Sequence, residues 1–297
     1  MQAGDGGRGF DPPFDVTTPP GAAGPVVFNS PHSGAVYPEH FLAAARLGAT
    51  ALRRSEDAHV DALFAPAARA CAAPLLRAHF PRAYLDVNRE PYELDPRMFE
   101  GRLPPYCNTR SLRVAAGLGS IARVVGEGQE IYARRLTVAE GLARIEALYH
   151  PYHAALGELL ETARRRFGVA LLVDCHSMPS AALERAEGGR CDIVLGDRFG
   201  ASAAPHLLAA AESAFVRAGY RVARNKPYAG GYITERYGRP AAGVQAVQIE
   251  VRRDLYMDER SLARGSGFDR LQRDLTGAIR ALAAAADCLP PDRLAAE

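Results

Sequence analysis

Three apolar runs constrain the fold of this chain more than any other feature of its sequence. VVFNS at 26–30, VALLVDCHS at 169–177 and VQAVQIEV at 244–251 are dominated by apolar and β-branched residues, which favour strands. Strands that are apolar almost throughout are typical of a sheet covered on both faces. The pattern therefore predicts a three-layer α/β/α protein with a central, mostly parallel or mixed sheet.

Helical patterns alternate with strands along the chain. Helices are predicted over 57–73, 137–167, 202–218 and 261–287. Further short strands are predicted over 75–80, 83–87 and 191–196. Pro151 is expected to kink or split the second helix. Residues 1–25 are expected to form a flexible lead-in, and 26–297 a single α/β domain.

Composition excludes several classes of protein. The 297 residues carry 36 Lys and Arg against 34 Asp and Glu, and a formal charge of +2 gives no basis for nucleic-acid binding. No apolar run approaches the ~20 residues of a membrane span, and no signal peptide is recognisable, so we expect a cytoplasmic protein. The odd number of cysteines without CxxC spacing argues against a disulfide framework. The cysteines are Cys71, Cys107, Cys175, Cys191 and Cys288.

Two histidines stand where strands are predicted to end. His32 follows VVFNS, and His176 lies near the end of VALLVDCHS. Open α/β sheets bind ligands beyond the carboxyl ends of their strands, so both positions suit a functional residue. Loop histidines that bind a backbone carbonyl are the plainer explanation. Two histidines and a carboxylate would form a three-ligand zinc site with one open position.

The acidic ligand is predicted in the SED segment at residues 55–57. Asp57 is the first choice and Glu56 the alternative. Carboxylates in the first turn of a helix also interact favourably with the helix dipole, which is a purely structural role.

Glu250 is the candidate general base. It lies near the end of a strand that is otherwise predicted to be buried, where an ionised carboxylate is costly unless it is paired. One interpretation is an ion pair with Arg252. The other is proton transfer beside a metal ion.

Substrate recognition is predicted in two polar segments. Arg82, Asn88 and Arg89 cluster in FPRAYLDVNREPYELDP, and arginine gives bidentate recognition of a carboxylate, although salt bridges to neighbouring acids are an equal alternative. The segment NKPYAGGYITERYGRP has the glycines and tyrosines of a substrate-covering loop, with Tyr232 as its binding candidate. Arg113 is a further candidate anchor.

Cys175 offers a metal-free alternative, because it is adjacent to His176. Neighbouring strand residues point to opposite faces, so the thiol would need another base, and a packing role is favoured. Ser33 and Ser177 lack the G-x-S-x-G context of serine hydrolases.

Several segments, matched in order from Val26 to beyond Met257, together resemble the N-formylglutamate amidohydrolase family. These segments are SPHSG, RRSEDAHVD, FPRAYLDVNREPYELDP, LVDCHSMPS, DIVLGDRFG, PYAGGYITERYG and QIEVRRDLYM. The family looks like a branch of the zinc carboxypeptidase-type fold, with a mixed sheet between helical layers. Because several motifs are matched in order, the resemblance is far more specific than any one of them.

The resemblance implies one zinc ion held by His32, Asp57 and His176, with Glu250 as the catalytic carboxylate. Asn88 and Arg89 are similar to the pair that zinc carboxypeptidases use on a substrate carboxylate, and Arg89 is also expected to steady the developing oxyanion. The chain departs from the carboxypeptidase H-x-x-E pair, because Ala35 occupies the glutamate position. It also has Gln245 where a histidine is expected.

The expected reaction is hydrolysis of a small N-acyl amino acid, N-formyl-L-glutamate first, as in histidine degradation. Three alternatives stay open from the sequence. They are another N-acyl amino acid as substrate, a metal-free Cys175 amidase, and a binding protein without activity.

Overall fold

A seven-stranded mixed sheet forms the centre of the computed structural model, which describes residues 6–21, 24–184 and 191–287. Its strand order is β1-β3-β2-β8-β11-β9-β10. The strands of this sheet are β1 (Phe14–Thr17), β2 (Val26–Ser30), β3 (Leu75–Ala78), β8 (Ala170–Met178), β9 (Ile193–Gly196), β10 (Val222–Arg224) and β11 (Val244–Arg252). Two smaller pairs are formed by β4 (Phe99–Glu100) with β7 (Leu136–Thr137), and by β5 (Val124–Val125) with β6 (Gln129–Glu130).

Ten α-helices accompany the strands within the described residues. They are α1 (Glu39–Ala44), α2 (Ala49–Arg53), α3 (Val60–Ala70), α4 (Leu112–Ala115), α5 (Val138–Arg144), α6 (His150–Phe167), α7 (Ser180–Glu184), α8 (Pro205–Arg217), α9 (Tyr232–Tyr237) and α10 (Phe268–Asp287). None of the described helices is both long enough and apolar enough to cross a membrane.

The sheet is mixed because β11 has neighbours of both directions. It runs parallel to β8 and antiparallel to β9, while β2 is parallel to β8 and β10 to β9. All nine residues of β8 are buried, as are all five of β2. Burial on both faces explains why these strands are apolar almost throughout.

Helices cover both faces of the sheet. The helix α8 begins on the face where Gln245 points, since the Gln245 Oε1 accepts a hydrogen bond from the Ala204 amide at the N-cap. The helices α3 and α10 pack in the same layer, with α10 contacting both α3 and α8. The helix α9 lies on the opposite face, where the Gly231 amide donates to Gln248. The predicted three-layer α/β/α class is confirmed.

Local structure near the N-terminus and at 83–87 differs from the sequence prediction. The strand β1 forms inside the predicted lead-in, whose residues 1–5 and 22–23 lie outside the described residues. The predicted strand at 83–87 is wrong, because the chain there forms turns in which the Tyr84 and Leu85 amides donate to the Pro81 carbonyl. Leu85 and Val87 are buried in these turns, and buried apolar residues at alternate positions resemble a strand in the sequence.

The sequence predicts a kink or split at Pro151, but the helical segment continues through it without a gap because a π-helical turn precedes it. Residues Ile145–Tyr149 form this π-turn between α5 and α6. Proline lacks an amide and normally disturbs the preceding turn, and a π-bulge absorbs that disturbance without a break.

Contacts divide the chain into two compact units. One consists of the described parts of Met1–Asp15, Pro31–Ala58 and Arg77–Ala155; the other consists of those of Val16–Ser30, His59–Leu76 and Leu156–Glu297. The single domain over 26–297 stays a prediction. The cysteines Cys71, Cys107, Cys175 and Cys191 are free thiols, and Cys288 lies outside the described residues.

Candidate metal centre

Three predicted ligands come together in the structure. His32, Asp57 and His176 are all buried, and each contributes one ligand atom to a group whose members lie within 4.8 Å of one another. This was the only group of three or more such side chains suited to a metal in the part of the chain that the structure describes. Two buried histidines and a buried carboxylate in this arrangement could hold a metal ion.

His32 is placed by the segment that leaves β2. Its carbonyl accepts a hydrogen bond from the Asp57 amide at 3.0 Å, which fixes the two ligand-bearing segments to each other. Two residues on, Gly34 passes so close to the Phe80 carbonyl that a Cβ atom would lie 2.0 Å from its oxygen. The glycine in SPHSG is therefore required by backbone contact.

The two nitrogens of His32 have different neighbours. Nε2 lies 2.7 Å from Oδ1 of Asp86, and Nδ1 lies 3.4 Å from Oδ2 of Asp57. A carboxylate can only accept, so the Nε2 atom donates to Asp86 and carries the proton. Nδ1, on the side of Asp57, is then the ring nitrogen that could ligate a metal ion.

His176 has the same kind of partner. Its Nε2 lies 3.1 Å from Oδ2 of Asp174, two residues earlier on β8. Asp174 is fully buried and is held in turn by the Asn29 amide at 2.7 Å and by the Thr234 hydroxyl at 3.4 Å. Each imidazole is thus oriented by its own buried carboxylate, an arrangement common around metal-ligating histidines.

Asp86 also lies close to two positively charged side chains. Its Oδ2 accepts from Arg82 at 2.8 Å and lies 3.7 Å from Arg89, and its Oδ1 accepts from the Asn88 amide. Burial would raise the pKa of this carboxyl, but the charges of Arg89 and Arg82, together with the hydrogen bond from His32, hold it well below its usual value. Asp86 therefore stays ionised at neutral pH.

Glu250 is the register partner of His176 in the parallel pair of β11 with β8. Register partners project from the same face of a sheet, so this carboxylate lies beside the imidazole. The Gln248 amide donates to Oε1 of Glu250 at 3.1 Å. Arg252, the ion-pair partner considered from the sequence, forms its ion pairs with Asp192 and Asp254.

The alternative acidic ligand, Glu56, is held elsewhere. Its carboxylate accepts from the Tyr37 hydroxyl at 2.7 Å and from the Arg53 guanidinium at 3.0 Å. Burial and the neighbouring Glu56 charge raise the pKa of Tyr37. Glu56 is absent from the metal-binding group found among the described residues, whereas its neighbour Asp57 belongs to it.

The predicted anchors Asn88 and Arg89 lie in a turn that is held by several hydrogen bonds. The Arg89 Nε donates to the Leu118 carbonyl at 3.0 Å, and its side chain is 15% exposed. The Tyr149 hydroxyl donates to the Arg89 carbonyl, and His153 Nε2 to the Val87 carbonyl. These two contacts come from the segment around the π-turn, which therefore helps to hold the turn that carries Asn88 and Arg89.

The remaining substrate-binding candidates are more exposed. Arg113 is 37% exposed and lies 3.8 Å from Glu93. Tyr232 is the first residue of α9, and its hydroxyl accepts from Arg236. The predicted covering loop is therefore partly helical, because α9 begins within it.

Cys175 points away from the His176 face, as its position one residue earlier requires. It is fully buried, and its thiol donates to the Val173 carbonyl. Burial raises the pKa of Cys175 well above its usual value, so the nucleophilic thiolate is scarce at neutral pH.

Gln245 does not take part in this arrangement. Its side chain leaves β11 on the opposite face from Glu250 and bonds to the Ala204 amide. The polar residue of β11 that faces Asp174 is Gln248, its register partner. Asp86, Asp174 and Gln248 were missed as site residues, although Asp174 and Gln248 are polar positions in otherwise apolar strands.

Comparison with known proteins identifies the family. The model of the N-formylglutamate amidohydrolase family matches residues 24–257. This chain belongs to the N-formylglutamate amidohydrolase family. The family predicted from the motifs is confirmed.

Relatives support this membership in sequence and in structure. An N-formylglutamate deformylase of Pseudomonas aeruginosa is 30% identical over 240 residues, 80% of this chain and 84% of that protein. The crystal structure of an N-formylglutamate amidohydrolase from Ralstonia eutropha JMP134 is 42% identical, with a TM-score of 0.87 over 92% of this chain and 98% of the other. A gene product of Agrobacterium tumefaciens, 22% identical, has the same fold, with a TM-score of 0.65 over 92% and 95% of the two chains.

Proposed function

We propose that this protein hydrolyses the amide bond of N-formyl-L-glutamate, releasing formate and L-glutamate, with one zinc ion as cofactor. The observation that carries the proposal is the buried group of His32, Asp57 and His176 in a member of this family. The names of the relatives in Pseudomonas aeruginosa and Ralstonia eutropha support the choice of substrate.

The side chains present fit a zinc ion. Two atoms that are each about 2.1 Å from one tetrahedral zinc lie about 3.4 Å apart. The Nδ1 of His32 and the Oδ2 of Asp57 lie 3.4 Å apart. The carboxylates of Asp86 and Asp174 hold the Nε2 atoms of the two imidazoles, which leaves Nδ1 as the ligand atom of each ring.

Zinc bound to these three side chains would supply a Lewis acid that polarises the formyl carbonyl and makes water more acidic. Glu250 is proposed to accept a proton from the attacking water and to deliver it to the glutamate nitrogen as the C–N bond breaks.

The cationic side chains are proposed to hold the substrate. N-formylglutamate carries two carboxylates, so more than one anchor is required. Arg89 is suited to a fixed carboxylate or to the developing oxyanion because its Nε is already held by the Leu118 carbonyl. Asn88, Arg82, Arg113 and Tyr232 are proposed as further binding residues.

The test is a comparison of N-formyl-, N-acetyl- and N-succinyl-L-glutamate, with release of L-glutamate as the common readout. We expect the formyl substrate to give the highest kcat/KM. Preference for another acyl group would contradict the proposed substrate while keeping the reaction type. Absence of hydrolysis of every substrate by zinc-loaded protein would overturn the proposal.

A further inference from the structure

Gln248 connects the candidate base to a turn at the start of a helix. Its Nε2 lies 3.1 Å from Oε1 of Glu250, two residues later on the same face of β11. Its own Oε1 accepts from the backbone amide of Gly231 at 2.8 Å. Gly231 is the N-cap of α9, and Gly230 before it has a φ of 123°, which favours glycine.

The backbone amide fixes which way the Gln248 amide faces. A backbone N–H can only donate, so the carbonyl oxygen of Gln248 must be the atom that faces Gly231. The NH₂ group is then directed to Glu250. The donor at Gly231 and the acceptor at Glu250 together determine the orientation of the Gln248 amide.

The surroundings leave this pair little freedom. Gln248 is 3% exposed and Glu250 is 8% exposed. In the parallel pair with β8, Gln248 lies beside Asp174, and Glu250 lies beside His176. A carboxylate at such a position has few acceptable orientations, and a donated N–H selects among them.

We propose that Gln248 is a positioning residue for Glu250, and that it fixes the direction of the carboxylate relative to the turn before α9. The proposal rests on the proposed function, in which Glu250 transfers protons. Gln248 does not contact the reacting atoms in this account. Its N–H bond holds Oε1 and thereby restricts the orientation of the carboxylate.

The chain provides a matched control for testing this role. Gln245 lies on the same strand, is also 3% exposed, and likewise accepts a hydrogen bond from a backbone amide. Its side chain leaves the other face of β11, away from Glu250. The variants are Gln248→Glu and Gln248→Met, each paired with the same change at Gln245.

Glutamate at 248 keeps the acceptor for Gly231 but removes the N–H that holds Glu250, whereas methionine removes both contacts at similar size. In zinc-loaded protein, we expect Gln248→Glu and Gln248→Met to lower kcat by about 10- to 100-fold, the effect of a lost charge-assisted hydrogen bond. The KM should stay within about 2-fold, and zinc content should be unchanged. The Gln245 variants should keep kcat within about 2-fold.

The outcomes separate this inference from the proposed function. If Glu250→Gln abolishes turnover while Gln248→Glu retains the parental kcat, Gln248 has no positioning role. If the Gln245 and Gln248 variants lose kcat and melting temperature together, the effect is structural and the inference is wrong. If the parent protein does not hydrolyse the substrate, the proposed function fails and the inference fails with it.

Discussion

Glu250 on β11 lies directly beside His176 on β8, as its register partner in a parallel strand pair. Parallel partners project from one face of the sheet, so the candidate base and a candidate metal ligand are adjacent through backbone pairing alone. The spacing of Glu250 and His176, which are far apart in the sequence, is therefore set by the strands and does not depend on a loop.

Replacing Glu250 by glutamine should remove the base and leave the shape of the site. We expect kcat to fall by about 10²- to 10⁴-fold, the usual contribution of general acid–base catalysis. Zinc content, measured by elemental analysis, should equal that of the parent. The exposed Glu158→Gln variant is the control and should retain full activity. Unchanged kcat in Glu250→Gln would show that another group transfers the proton.

Replacing Asp174 by asparagine should weaken metal binding, because Asp174 orients the His176 ring through Nε2. Loss of such an outer partner typically lowers metal affinity by about 10- to 100-fold. The measurement is competition for zinc with a chelator of known affinity. Asp269→Asn, at an exposed position, should leave the zinc affinity at the parental value. Equal affinities in all three proteins would mean that Asp174 has only a packing role.

Cys175→Ala should retain the parental kcat, although a small loss of thermal stability is expected from the space left in the core. The buried thiol has a pKa well above its usual value and is not a nucleophile at neutral pH. Steady-state kinetics on the variant decides the point. Abolished turnover with normal zinc content would favour the cysteine amidase that the sequence left open.

Glu140 provides a prediction about pH and stability. Hydrogen bonds from Arg134 and from the Thr137 amide lower the pKa of Glu140 from its ordinary value of 4.5 to about 2. A lowered folded-state pKa contributes stability above the unfolded pKa, and this contribution is lost as the pH falls through the folded value. Glu140→Gln should therefore reduce the melting temperature at neutral pH. The difference from the parent should shrink between about pH 4.5 and about pH 2, as measured by circular dichroism. A difference that does not change with pH would exclude this ion pair as its source.

The functional positions at the ends of the central strands could be predicted from sequence, because each strand is mostly apolar and carries a polar residue near its carboxyl end. His32, His176 and Glu250 all stand near the carboxyl ends of such runs, where α/β sheets place ligand-binding groups. The choice of acidic ligand could be narrowed only to Asp57 or Glu56, since both occupy the same turn. The difference between them depends on Tyr37 and Arg53, which hold Glu56 by side-chain bonds.

The supporting residues could not be read from local pattern. Asp86 lies in turns that resemble a strand in composition, and its contact with His32 joins two segments far apart in the chain. Gln245 and Gln248 look alike in sequence, and only the register of β11 with β8 shows which one faces Asp174. These roles depend on pairing between distant segments, and the hydrophobic periodicity of the sequence does not reveal that pairing.

The central claim is that His32, Asp57 and His176 hold one zinc ion that hydrolysis requires. The most direct measurement is the zinc content of protein purified without added metal, together with turnover of N-formyl-L-glutamate before and after chelation. We predict one zinc per chain in the parent, loss of that zinc in His32→Ala and in His176→Ala, and turnover that chelation abolishes and added zinc restores. Full turnover by protein shown to contain no metal would contradict the account.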